Sequence, residues 1–293
     1  MTETLTAVRP VAAVVDAVET LEGGGFLVHR PFPTAALDLL DPFLLLDEMG
    51  PADVAPGEAV GAPDHPHRGF ETVTYMLEGE FEHRDSAGHH GVIHAGDVQW
   101  MTAGSGVVHS EMPGAQLQRE GGRTHGLQLW VNLPRADKMT VPRYQDLRAV
   151  DIPTVERDGF SAKVIAGDAL GVSGPASTHV PILYVHVRVD AGAVLELPIA
   201  HDANAFAYVL EGSGDFDGTA AGRAQMVVLG AGGDGVRIAG GPDGVELVVL
   251  AGRPLHEPVA RYGPFVMNTK AELIEAFEDY QAGRMGEIGS TGR

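Results

Sequence analysis

Leu127-Gln128-Leu129-Trp130-Val131-Asn132-Leu133 alternates along its length with the two-residue period of a strand that buries one face. Runs of similar character recur at Glu71–Leu77, Val98–Thr102, Gly106–Glu111, Ile182–Val189, Val194–Pro198, Met226–Leu229, Val236–Ile238 and Val245–Leu250. Residues 8–18 and Phe26–Arg30 read as two leading strands. The 39 glycines and 19 prolines follow no collagen-like repeat and serve as turn punctuation. Glu78-Gly79 turns one strand into Glu80–His83, a hairpin signature. Many short strands at close spacing predict an all-β sandwich or barrel.

Tyr75-Met76-Leu77-Glu78-Gly79 is echoed by Tyr208-Val209-Leu210-Glu211-Gly212. An internal duplication of one antiparallel barrel accounts for that echo, and 293 residues suffice for two domains. Periodicity breaks and charge rises around Pro134–Pro142, which places the boundary between residues 1–137 and 138–293. One helix is expected: Thr269 and Glu272 form a capping box, Leu273, Ile274, Phe277 and Tyr280 make a core-packing stripe, and Gly283 ends it.

A net charge of −20, from 20 basic and 40 acidic residues, argues against direct nucleic-acid binding, because phosphate contacts need a basic face. The acidity is read as an aid to solubility. The lack of cysteine removes disulfides, thiolate ligands and cysteine nucleophiles, and fits a reducing compartment. Val11–Val15 has a faint signal-peptide character, but Asp16 and Glu19 interrupt it and only Arg9 precedes it. No apolar run reaches the length of a membrane span. The expectation is a cytoplasmic monomer.

Asp64-His65-Pro66-His67-Arg68-Gly69-Phe70-Glu71 and Val107-Val108-His109-Ser110-Glu111 carry the chemistry. Residues i and i+2 of a strand share a face, so His65 pairs with His67 and His109 with Glu111. Brought together, three imidazoles and a carboxylate suit iron, copper, nickel or zinc. A lone His-x-His is more often a surface pair; two such pairs in glycine-rich β sequence reverse those odds. Glu71 competes with Glu111 as the carboxylate, and spacing slightly favours Glu111.

These residues carry a resemblance. Gly61, His65, His67, Glu71, Gly79, Gly96-Asp97, Gly104 and His109 resemble the two motifs of the cupin superfamily. His65–Thr72, Gln99–Gly104, His109–Pro113, Gly252–Val259 and Tyr262–Thr269 resemble the pirin family more narrowly. The resemblance implies a bicupin, two tandem antiparallel cupin β-barrels followed by the short C-terminal helix. It implies one divalent metal in the N-terminal barrel, held by His65, His67, His109 and Glu111, with Glu71 not a ligand. Iron(II) is the implied metal, with copper, nickel, manganese or zinc as alternatives. Aligned through the Leu-Glu-Gly echo, the second barrel keeps one histidine, His201, in its first motif region and none in its second, Gly230–Ile238, so it reads as structural or substrate-covering. The implied activity is cleavage of a flavonol by a quercetin 2,3-dioxygenase, with Glu111 as the catalytic base. The alternative is a metal-dependent, redox-sensitive regulator that binds a transcription factor or metabolic enzyme.

Other candidates carry blander readings. His89-His90 with His94 is expected at a solvated hairpin tip. His83 and His125 either line the pocket or face solvent, and Trp100 and Met101 are either pocket wall or core. Gly212-Ser213-Gly214 and Gly230–Gly235 lack the helix and Lys-Ser/Thr of a phosphate cradle. No Gly-x-Ser-x-Gly hydrolase elbow occurs.

Overall fold

Antiparallel strands dominate the computed structural model, which describes residues 5–289. The first strands are β1 (Val11–Asp16), β2 (Val18–Glu22), β3 (Phe26–Phe32) and β4 (Phe43–Val54). The motif-bearing stretch forms β5 (Ala62–His67), β6 (Phe70–Glu78), β7 (Glu80–Asp85) and β8 (His90–His94). Then follow β9 (Val98–Thr102), β10 (Val107–Pro113), the short helix α1 (Ala115–Glu120), β11 (Gly122–Asn132) and β12 (Arg143–Leu147). A seven-stranded sheet runs β12-β9-β6-β11-β4-β3-β2, and a four-stranded sheet runs β5-β10-β7-β8.

Eight strands of the second half, joined by β1, build a nine-stranded sheet. Its interior is apolar, with Val164, Val185, Val187, Leu195, Leu197, Val209, Phe216 and Leu247 all buried in one cluster. His201 is exposed. The repeated Leu-Glu-Gly has one physical cause in both halves: Gly79 (φ +81°) and Gly212 (φ +71°) adopt the left-handed conformation that side chains disfavour. At Gly212 a Cβ would also stand 2.3 Å from the Gly244 carbonyl oxygen.

Contacts group the chain differently from a contiguous split at 137/138. Among the described residues, one compact unit takes the chain up to Val18, then Pro31–Pro42 and Val150–Leu255. The other takes Glu19–Arg30, Phe43–Ala149 and the chain from His256 onward. The reason is partner choice at both ends. β1 pairs antiparallel with Gln225–Leu229 of the second half. The C-terminal strands and helix α2 (Lys270–Gln281) instead pack with the first: Phe265, Met267, Leu273 and Ala276 share a buried cluster with Val108 of β10.

Helix α2 has the expected capping box between Thr269 and Glu272, and Gly283 follows it at φ +71°. Its buried stripe differs in part. Leu273 and Ala276 are buried, and Phe277 packs edge-on against Phe265. Ile274 is 60% exposed, because it lies one residue round from Leu273 on a helix that buries a narrow face. Among the described residues, no helix is long and apolar enough to cross a membrane.

Candidate metal centre

Register brings the two motifs together. β5 and β10 are antiparallel neighbours, with His109 opposite His65 and Val107 opposite His67. A register irregularity between His109 and Glu111 marks the bend at the site. The nitrogen atoms of His65, His67 and His109 lie within 4.8 Å of one another. No other group of three or more histidine or acidic side chains with this convergence occurs among the described residues.

Each imidazole turns its Nδ1 outward. His65 Nδ1 lies 2.7 Å from the Pro63 carbonyl oxygen, and His67 Nδ1 lies 3.3 Å from that of Pro264. His109 Nδ1 faces His83 Nδ1 at 3.5 Å. The Nε2 atoms are thus left as the inward donor set. That of His109 is buried without a hydrogen-bond partner. Burial, together with the neighbouring His65 imidazole, holds His67 well below the ordinary imidazole pKa. Burial does the same to His109, reinforced by His65, His67 and His83. Buried, neutral, convergent nitrogens are the form in which histidine binds a metal. These residues fit a divalent transition ion.

Glu111 lies beside this trio, lining the same cavity, but its carboxylate is outside the set within 4.8 Å. Thr74 Oγ1 lies 2.7 Å from Glu111 Oε1 and 2.9 Å from Gln128 Oε1. Gln128 Nε2 donates to Glu111 Oε2 at 2.9 Å. The competing Glu71 is turned away. It differs by three positions from Thr74 on β6, so the pleat points it to the opposite face. There it accepts a hydrogen bond from Thr102 at 2.7 Å.

The trio opens on a cavity of about 500 Å³ lined by Phe26, Val28, Phe81, Gln128, Trp130 and Arg261, among others. The Arg261 guanidinium stacks over the Trp130 ring at 4.9 Å, and Trp130 meets His67 edge-on at 5.2 Å. Sequence reading did not single out Thr74, Gln128, Trp130, Pro264 or Arg261. Strand parity with Glu111's neighbours was the one available signal for Thr74 and Gln128; the pairings that use it are tertiary. His83 is buried, and neither it nor His125 lines this cavity. His125 Nε2 lies 2.8 Å from Glu48 Oε1. Trp100 and Met101 are core. His89, His90 and His94 are exposed near Asp85, Glu82 and Glu80, respectively.

The sequence matches the pirin family model over residues 25–131 and the model of the pirin C-terminal cupin domain over residues 184–286. The chain belongs to the pirin family. Its two halves are thus the two cupin domains of a bicupin. A pirin-like protein of Solanum lycopersicum is 46% identical over 269 residues, which cover 90% of this chain and 89% of that protein. Among solved structures, a quercetin 2,3-dioxygenase from Acinetobacter baumannii is 38% identical, with a TM-score of 0.90 over 97% of this pirin and 100% of that chain. A bacterial pirin from Escherichia coli in complex with nickel(II) shares the fold at a TM-score of 0.64 and 21% identity, over 83% of this chain and 98% of that one.

Proposed function

We propose that this pirin is a mononuclear metal protein, iron(II) being the resident ion, that cleaves a flavonol-type substrate as a 2,3-dioxygenase. The observation that carries the reading is the convergence of His65, His67 and His109 at a cavity with aromatic walls. The 38% identity to a quercetin 2,3-dioxygenase across nearly the whole chain supports it.

His65, His67 and His109 would hold the ion, with Glu111 as the fourth protein ligand. Bound there, iron(II) supplies a Lewis acid and a one-electron reservoir for dioxygen chemistry. The chain's own part is positioning and proton transfer. Trp130, Phe26 and Phe81 provide flat apolar surface for a planar aromatic substrate and exclude water from it. Glu111, off the imidazole trio and oriented by Thr74 and Gln128, takes the substrate's hydroxyl proton on a carboxylate oxygen. Ligand and base are then two positions of one side chain. A carboxylate hydrogen-bonded in place is pre-organised for that transfer.

The test is substrate-dependent oxygen uptake by the iron-loaded protein with quercetin. Uptake that depends on His65, His67, His109 and Glu111 supports the reading. Failure of the iron-, copper-, nickel- and manganese-loaded forms to consume oxygen with flavonols overturns it, in favour of a metal-dependent protein that binds a regulator or enzyme.

A further inference from the structure

His83 stands outside the ligand trio and outside the cavity, yet it is only 1% exposed. The pleat of β7 turns Phe81, His83 and Asp85 inward together. Pairing with β10 sets His83 opposite Glu111 and Asp85 opposite His109. The His83 ring packs 4.7 Å from that of Tyr144, which in turn lies 4.8 Å from the His89 ring. This column holds His83 with its Nδ1 facing His109 Nδ1.

Two facing imidazole nitrogens share one proton: a neutral ring carries a single N–H and a single lone pair. For His65 and His67 the outward partner is a carbonyl oxygen, which only accepts. Their protons must therefore sit on Nδ1, and their Nε2 lone pairs point inward. His109 has no carbonyl or carboxylate in that place. Were His83 to donate, the His109 proton would move to Nε2 and abolish it as a ligand.

We propose that His83 is the positioning residue of His109: its Nδ1 lone pair accepts the His109 Nδ1–H and sets the tautomer that aims His109 Nε2 at His65 and His67. The proposal rests on the metal reading above. It assigns to an imidazole the outer-partner task usually given to a carboxylate or carbonyl. It also requires the His83 proton to sit on Nε2, an atom buried without a hydrogen-bond partner among the described residues.

Zinc(II) tests this, because the zinc form is diamagnetic and needs no turnover. In wild-type protein labelled with ¹⁵N-histidine, long-range proton–nitrogen spectra should show His109 protonated on Nδ1 and metal-shifted on Nε2. His83 should be neutral and protonated on Nε2. A His83 proton on Nδ1, or zinc on His109 Nδ1, overturns the proposal while leaving metal binding intact. Absence of any zinc uptake overturns the metal reading itself. Chelator competition on variants adds a second readout. His83→Leu should lose zinc affinity roughly 10- to 100-fold, the usual cost of removing an outer partner, while His83→Asn, whose amide oxygen can accept in place of Nδ1, should stay within about threefold. Equal losses in the two variants would assign His83 to packing alone, and unchanged affinity in both would remove it from the site.

Discussion

Glu111 has two duties in the proposed chemistry, and one substitution separates them. Glu111→Gln keeps the shape and still offers an oxygen to metal and to neighbours, but no longer takes a proton. Oxygen uptake should fall by about 10²–10⁴ with iron content retained; full turnover with full iron would exclude Glu111 as the base. A second residue-scale prediction concerns Glu246. Burial alone would raise its pKa, but hydrogen bonds from His186 at 2.8 Å and Arg188 at 2.9 Å hold it down at about 2. A depressed carboxylate stabilises the fold above its unfolded pKa, and that contribution disappears as pH falls through the folded value. Because the Arg188 partner is largely exposed and screened by solvent, wild type should exceed Glu246→Gln in stability by only about 1 kcal/mol at pH 7. Denaturant titrations should show the gap closing between the ordinary glutamate value and about pH 2.

The junction between β5 and β6 is the element on which the site depends. Arg68 donates to Asp279 of α2 at 2.7 Å and to the Ser105 carbonyl at 2.7 Å, which locks the residue after His67 to a distant helix. Gly69 then turns the chain at φ +87°, and a Cβ there would stand 2.0 Å from the Val266 carbonyl oxygen. Gly69→Ala meets both backbone strain and a clash with backbone that has nowhere to move. Its expected cost is about 2–5 kcal/mol, from an unfavourable left-handed residue and overpacking together. Thermal melts should show that loss, accompanied by weaker metal binding, because His67 moves with the junction. A variant that melts like wild type would mean that the Phe265–Met267 strand shifts freely.

At the scale of the whole molecule, the metal-binding unit is assembled from segments far apart in the chain. Its described part includes residues from His256 onward, and Pro264 supplies the partner of His67 Nδ1. A fragment of residues 1–149 would lack Phe265, Met267, Leu273 and Ala276, leaving Val108 uncovered, and should bind metal poorly or fail to fold. Normal metal stoichiometry in that fragment, measured by elemental analysis, would show the C-terminal segment to be dispensable. In the full chain we expect one metal per molecule. His67→Ala should lose most of it, whereas His201→Ala, at an exposed residue outside the trio, should retain it.

Local spacing was enough to identify the strands, the hairpin glycines, the α2 capping box and the shared faces of His65 with His67 and of His109 with Glu111, because a two-residue period and a left-handed glycine are properties of neighbours in sequence. That the two pairs converge was carried by the family resemblance and is built by β5–β10 pairing. Glu71 against Glu111 was nearly legible too, since strand parity alone turns Glu71 away from the face that carries Thr74. The sequence could not say where the unit boundaries fall: β1 and the C-terminal segment find partners far along the chain, and periodicity carries no address. Nor could it place His83, Gln128 or Pro264 around the ligands. Those contacts follow from register between strands and from packing of the C-terminal segment, and both are decided only when distant apolar faces are buried against each other.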